Sequence, residues 1–292
     1  MLYLSRGEKM NTNPLAKYFR KPGIYIKLPT GGKFNPEWGT TLLEEVGVLP
    51  MTAVDEITMK NPDELLNGEA LINIAKSCCP DIPNPRTMCN IDMEALYLAI
   101  QYATYGRELT HAHKCTNCEE VSDFNIDINY ILNKFPDIEH VAPVEFDEVK
   151  IHIRPPSVEA ITRLALIDVE QKRIVQHIQN SVANEENEDT DEAELARRFY
   201  GSFRKIAEHN VDLLANTISY IETPEGNVND YDSIMEFLSN IPTKIVDEID
   251  AKVKELSKKP KDATTFAFVC PECDHKGEVA LEVNPVNFFM AG

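Results

Sequence analysis

No apolar run in this 292-residue chain approaches the roughly 18 residues that a membrane-spanning helix needs, so no integral helical span is expected. The amino terminus offers only Leu2-Tyr3-Leu4 where a secretory signal would need a longer apolar stretch. The chain is therefore expected to be made and kept in a reducing cytoplasm, where disulfides are disfavoured. Catalytic signatures are missing as well. There is no His-Glu-x-x-His pair and no Gly-x-Ser-x-Gly elbow. Thr30-Gly31-Gly32-Lys33 has the flavour of a phosphate loop but lacks the first glycine and the hydroxyl after the lysine, and reads as a hairpin turn. Adjacent carboxylates such as Glu44-Glu45 carry no weight among 48 acids. Nothing points to an enzyme, and no repeat of roughly 20–50 residues is present.

Positive charge is also scarce. A net charge of −19 and a pI near 4.8 argue against a nucleic-acid partner, which needs clustered cations to displace counterions. The scarcity is uneven, because residues 1–33 carry Arg6, Lys9, Lys17, Arg20, Lys21, Lys27 and Lys33 against Glu8 alone. Two readings stand: a solvated, mobile tail, or a basic arm that docks on an acidic partner or a neighbouring copy.

What is present is enough apolar sequence, 43%, for a real core. Ile24 to Leu28 alternates as a strand ahead of the Pro29-Thr30-Gly31-Gly32 turn. Thr52 is placed to cap a short helix with Asp55 at its third position. Asn61-Pro62 starts a helix with Leu65, Leu66, Ile72 and Ala75 inward, stopped by Pro80 and Pro83. Asn67 and Gly68 fall inside it; either the helix tolerates two weak formers, or Gly68 lets another backbone come close. A further helix runs from after Asp92 to Tyr105, ended by Gly106. Strands are expected at 122–128 and 149–153. Helices follow: one capped by Ser157, a long one through Phe199, Phe203, Ile206, Leu213 and Leu214, then two carrying Ile234-Phe237-Leu238 and Ile245-Ile249-Val253-Leu256. Thr223 to Asn227 reads as a turn, and the acidic stretch Glu185 to Glu194 as an inter-helix loop in preference to a binding tail.

One short pattern occurs twice: Cys115-Thr116-Asn117-Cys118 and Cys270-Pro271-Glu272-Cys273. Two residues between cysteines let both thiolates turn to one ion while turn amides face the sulfurs. Two such knuckles make the tetrahedral sulfur shell that zinc prefers. Thr264 to Val269 reads as a strand entering the second knuckle and Glu278 to Val283 as one leaving it, so the layout is a zinc ribbon whose halves are split by a long insert. Neither pair sits at a helix start after a buried strand, as a thioredoxin-like pair should. Cys115, Cys118, Cys270 and Cys273 are the expected ligands, and four thiolates leave no open position, so Zn2+ is expected to be structural. His111, His113 and His275 lie close by but are expected to be surface or supporting residues. Cys78, Cys79 and Cys89 have no partner spacing and are expected to stay reduced in core or loop.

The fold class expected is α+β, mainly helical, with the split ribbon and short antiparallel strands. Its parts are an amino-terminal region 1–110 with the basic arm, ribbon halves at 111–130 and 262–292, and a helical insert at 150–260.

The amino-terminal third carries a further signal. Asn13-Pro14-Leu15-Ala16-Lys17-Tyr18-Phe19-Arg20 is followed by Leu28-Pro29-Thr30-Gly31-Gly32, by Leu49-Pro50-Met51-Thr52-Ala53-Val54-Asp55-Glu56 and by Asn61-Pro62-Asp63-Glu64-Leu65-Leu66-Asn67-Gly68. Ile91-Asp92-Met93 and Ala103-Thr104-Tyr105-Gly106 complete the succession, which resembles the baseplate hub subunit family of T-even-type contractile-tailed bacteriophages over residues 13–130. The resemblance implies a non-enzymatic protein of the virion tail baseplate, assembled in the host cytoplasm. It would act on other phage tail or baseplate proteins, with no nucleic acid and no membrane as partner, and with homo-oligomerisation open. It carries over no catalytic residue. A tail assembly chaperone for hub or tape-measure proteins, absent from the finished virion, is the alternative. A nucleic-acid-binding zinc ribbon ranks last, because Glu119, Glu120, Asp123, Glu272, Asp274 and Glu278 surround the knuckles against Lys114 and Lys276.

Overall fold

A computed structural model describes residues 13–35, 38, 45–61, 64, 68–138, 141–167, 173, 176, 192–256 and 265–280. Arg6 and Lys9 of the basic arm, Leu65 to Asn67, the acidic residues 185–191 and Leu281 to Val283 of the expected last strand lie outside the described residues.

The amino-terminal body begins with β1 (Ile24–Ile26), paired antiparallel to β2 (Val46–Val48) so that Ile26 faces Val46. Apolar side chains of both strands turn inward, and the core they share with α1 (Ala53–Met59), α2 (Glu69–Cys78) and α3 (Asn90–Tyr105) includes Leu28, Ile74, Met88, Met93 and Leu96. Helix α1 starts as its sequence suggests. The Thr52 hydroxyl accepts from the Asp55 N–H, and the Asp55 carboxylate accepts from the Thr52 N–H at 2.7 Å.

Three expectations for this body change. The expected helix is interrupted at Gly68, the left-handed residue, φ 75°, that precedes α2. Its missing side chain does permit a close approach, but of the Thr162 side chain, 3.0 Å from where a Cβ would sit, not of another backbone. Helix α3 starts two residues before Asp92 and is buried nearly all round, from Ile91 to Gln101. Asp92 is fully buried and accepts from Thr30 N–H at 2.8 Å and from the Thr30 hydroxyl, which pins the Pro29–Gly32 turn to the helix. Burial pushes its carboxyl up to about 6 in spite of those two bonds. Arg20 does not belong to a mobile tail. Its guanidinium donates to the carbonyls of Pro50 and Ser77 at 2.7 Å each, to Ser77 Oγ at 2.8 Å and to Asp55 at 3.2 Å.

After Gly106, at φ 102°, the chain turns into the hairpin β3 (Glu108–Lys114) and β4 (Val121–Asp127), then the short α4 (Ile128–Leu132). Leu98, Leu109, Ile126, Ile128 and Ile131 form a small core beneath it. Residues 141–256 hold more strand than the expected mainly helical insert. β5 (Val144–Phe146), β6 (Val149–Ile153), β7 (Ile218–Thr223) and β8 (Gly226–Val228) form one antiparallel sheet in that order. Between β6 and β7 lie α5 (residues 158–167) and α6 (Glu192–Asn216), the latter starting within the acidic stretch. α7 (Tyr231–Asn240) and α8 (Thr243–Leu256) cover the sheet, and Ile151, Ile153, Ile221, Ile234, Leu238 and Ile249 meet between them. The fold is α+β with short antiparallel sheets.

The sheet unit is sewn to the amino-terminal body at its root. Asn90 N–H donates to Pro156 O at 2.9 Å, Val158 N–H to Met88 O at 2.9 Å, and Arg154 donates to Phe34 O at 3.3 Å. The chain then returns to the first hairpin as β9 (Thr265–Val269) and β10 (Lys276–Ala280).

Candidate metal centre

Each half of the centre is a hairpin whose turn carries a cysteine pair. Cys115 N–H donates to Glu120 O at 2.8 Å and Glu119 N–H to Cys115 O at 3.0 Å. The second knuckle repeats the pattern, with Cys270 N–H on His275 O at 2.9 Å and Asp274 N–H on Cys270 O at 3.0 Å. In both, the residue after the second cysteine is left-handed: Glu119 at φ 61° and Asp274 at φ 54°. That residue turns the chain back into the outgoing strand and leaves the preceding N–H groups facing the sulfurs, as Asn117 N–H faces Cys115 Sγ at 3.4 Å.

The two knuckles face each other across the gap in sequence. Cys115 Sγ lies 3.8 Å from Cys273 Sγ, and Cys118 Sγ lies 3.6 Å from Cys270 Sγ, 152 positions along the chain. All four sulfurs fall within 4.8 Å of one another, and none is in a disulfide. A tetrahedron with zinc–sulfur bonds of about 2.3 Å has edges of about 3.8 Å. The spacing and the donor set are therefore compatible with a closed four-thiolate ion site. Cys115 and Cys270 are buried, whereas Cys118 is exposed.

The electrostatics suit a cation. N–H groups of Cys118 and Asn117 lower the Cys115 thiol, and the Asn117 side chain with the His275 N–H draws Cys273 down to about 6. Cys118, although the Glu120 N–H favours its thiolate, is pushed up to about 12 by Cys273, burial, Cys270 and Cys115. Four converging thiols resist full ionisation until a dication shares the charge.

The histidines stand apart from the sulfur cluster. His113 packs on Phe268 of the second hairpin with ring centroids 4.7 Å apart, whereas His111 packs on Phe124 across its own hairpin at 5.3 Å. His275 Nε2 meets Thr116 Oγ1 at 3.3 Å. Cys78, Cys79 and Cys89 are buried thiols of other cores, and burial raises all three. Sequence reasoning missed the cross-knuckle bond from Asn117 Nδ2 to Cys273 Sγ, 3.6 Å, and the left-handed residues. The shared Cys-x-x-Cys-acid pattern was the available signal for the latter.

Against known proteins, a family model described as T4 bacteriophage base plate protein matches residues 22–290. No curated protein and no solved structure matches the chain.

Proposed function

We propose, from the premise that this chain belongs to the T4 bacteriophage base plate protein family, that it is a non-enzymatic subunit of the central baseplate hub. A baseplate protein works in the virion tail by contacting other tail proteins, and the match over residues 22–290 is the observation that carries the reading. The hub assignment draws on the amino-terminal succession from Asn13 to Gly106. Half of the large apolar side chains left exposed on the described surface fall in its first part: Leu15, Tyr18, Phe19, Tyr25, Val54 and Ile57. Such a concentration suits contact with neighbouring subunits.

In this reading one structural Zn2+ is held by Cys115, Cys118, Cys270 and Cys273. The ion closes the ribbon and does no chemistry, since four thiolates fill its coordination. The acidic surroundings of the knuckles argue against nucleic acid as the partner. Lys114, one of the two nearby lysines, is itself paired with Glu119 at 3.0 Å.

Quantitative mass spectrometry of purified phage particles tests the role. A hub subunit appears at a fixed small copy number and cross-links to central baseplate proteins. Absence from finished particles would replace the hub reading with that of an escort during assembly. Elemental analysis of the purified protein tests the ion independently, with about one zinc per chain expected.

A further inference from the structure

The segment 13–19 stands out from the body as a short arm. Its backbone bonds are local, from Ala16 N–H to Asn13 O at 3.0 Å and from Tyr18 N–H to Leu15 O at 2.9 Å. Arg20 fastens its root through the four hydrogen bonds described above. Beyond that root Leu15 is 61%, Tyr18 73% and Phe19 54% exposed. Lys17 and Lys21 flank these side chains, with the Lys17 ammonium 4.8 Å from the Tyr18 ring centre, and no acid occurs from Asn13 to Lys33. Three large apolar groups with cations between them, on a rigid root, are costly to leave in water.

The opposite chemistry is found on another face. Between the edge strand β5 and α8 runs a groove of about 420 Å³ lined by Pro143, Val144, Glu145, Glu248, Ala251 and Lys252. Pro143, Val144 and Ala251 supply its apolar surface. Lys252 donates to the carbonyls of Ala142 at 2.8 Å and Pro143 at 2.9 Å, which holds its charge against the backbone at one end. Glu145 lies along the rim with Glu248, which Lys244 approaches to 3.9 Å, and exposed Asp147, Glu148 and Asp247 leave the negative charge in excess there.

We propose that the arm of one copy, residues 13–21, seats in the β5–α8 groove of a second copy, with Leu15, Tyr18 and Phe19 on the floor and Lys17 and Lys21 against Glu145 and Glu248. Charge complementarity selects this occupant: in a chain of net −19, copies repel unless the cationic segment meets the acidic face. Arm and groove are different surfaces, so the contact is head-to-tail and propagates into a ring or row. One arm buries less than the roughly 1,200 Å² of a stable isolated dimer. The contact is therefore weak between free chains and gains strength when copies are held side by side. It does not depend on the hub assignment, since it concerns the isolated protein.

The test replaces Tyr18 with the photo-crosslinker p-benzoylphenylalanine in an equal mixture of isotopically light and heavy chains. Irradiation is expected to give mixed-isotope adducts within residues 143–145 and 245–252. Lys17→Glu with Lys21→Glu should lower their yield at least roughly five-fold, and Glu145→Lys with Glu248→Lys in the receiving chains should restore it. All four positions are exposed, so the fold is expected to survive, with circular dichroism as the check. Adducts confined to single chains, adducts on any other surface, none at all, or yields indifferent to both charge reversals would overturn the proposal.

Discussion

The amino-terminal body and the ribbon differ in how much apolar surface they bury. The body's core gathers twenty buried residues from β1, β2, the helices α1 to α3 and the segments around them, among them Leu28, Ile74, Met93 and Leu96. Beyond the Leu109 and Ile126 contacts at its base, the ribbon's core consists of Cys115, Phe268, Cys270 and Val279, two of which belong to the candidate ligand set. Removing apolar area from water can sustain the first. It cannot sustain the second, whose two-stranded hairpins are marginal without another constraint. A metal on the four cysteines would supply that constraint and join chain segments 152 positions apart. The insert's root does not depend on it alone, because Pro156–Asn90 and Met88–Val158 backbone bonds also tie the sheet unit to the body.

The largest effect should come from breaking the ribbon. Cys118→Ser with Cys273→Ser removes one ligand from each knuckle, and a site worth on the order of 10 kcal/mol or more is lost. Zinc content should fall to background and limited proteolysis should open residues 108–127 and 265–280, while the circular-dichroism signal of the helices persists.

Next in size is the pH response of the body. Asp92 is lifted to about 6 from an ordinary 3.8, so the folded state holds its proton more tightly than the unfolded chain. Its contribution is therefore fully favourable below about pH 4 and is lost as pH rises through about 6, a change of about 3 kcal/mol. Asp92→Asn can still accept from the Thr30 N–H, can donate its amide to the Thr30 hydroxyl in place of accepting from it, and carries no titration. Urea melts should show wild type losing stability relative to this variant between pH 4 and 6, with metal content the same in both at each pH.

Arg20→Ala should follow, at about 2 kcal/mol, because two carbonyls and the Asp55 carboxylate lose their donor. The same melts at pH 7 measure it, and the ribbon's metal content should not change. The smallest effect is expected at the knuckle turn. Glu119→Gly relieves a left-handed non-glycine residue and should raise the midpoint of chelator-induced zinc loss by about 1 kcal/mol equivalent.

The two regions were also unequally legible in the sequence. The cysteine spacing announced the knuckles, since pairing thiolates on one ion leaves little freedom in the pattern. The Thr52–Asp55 capping box could be read directly, because it is local. Arg20 could not, as its partners lie 30 to 57 positions away and look like ordinary loop and helix residues. The four-stranded sheet was hidden for a related reason. Only Thr217 separates the end of α6 from β7, whose burial repeats every third residue instead of alternating, so Ile218 to Thr223 continues a helical rhythm. Gly68 was noticed as a possible close contact, but only the fold shows that its partner is Thr162 and that its backbone is left-handed.

The central claim is that an ion, and not burial, closes the ribbon. Hydrogen exchange by mass spectrometry on the wild-type chain, stripped of metal with a chelator and then resupplied with zinc, tests it most directly. Amides of 108–127 and 265–280 should lose protection on stripping and regain it with about one equivalent of zinc, while those of α2 and α3 stay protected throughout. Ribbon amides that remain protected in metal-free protein would contradict the account.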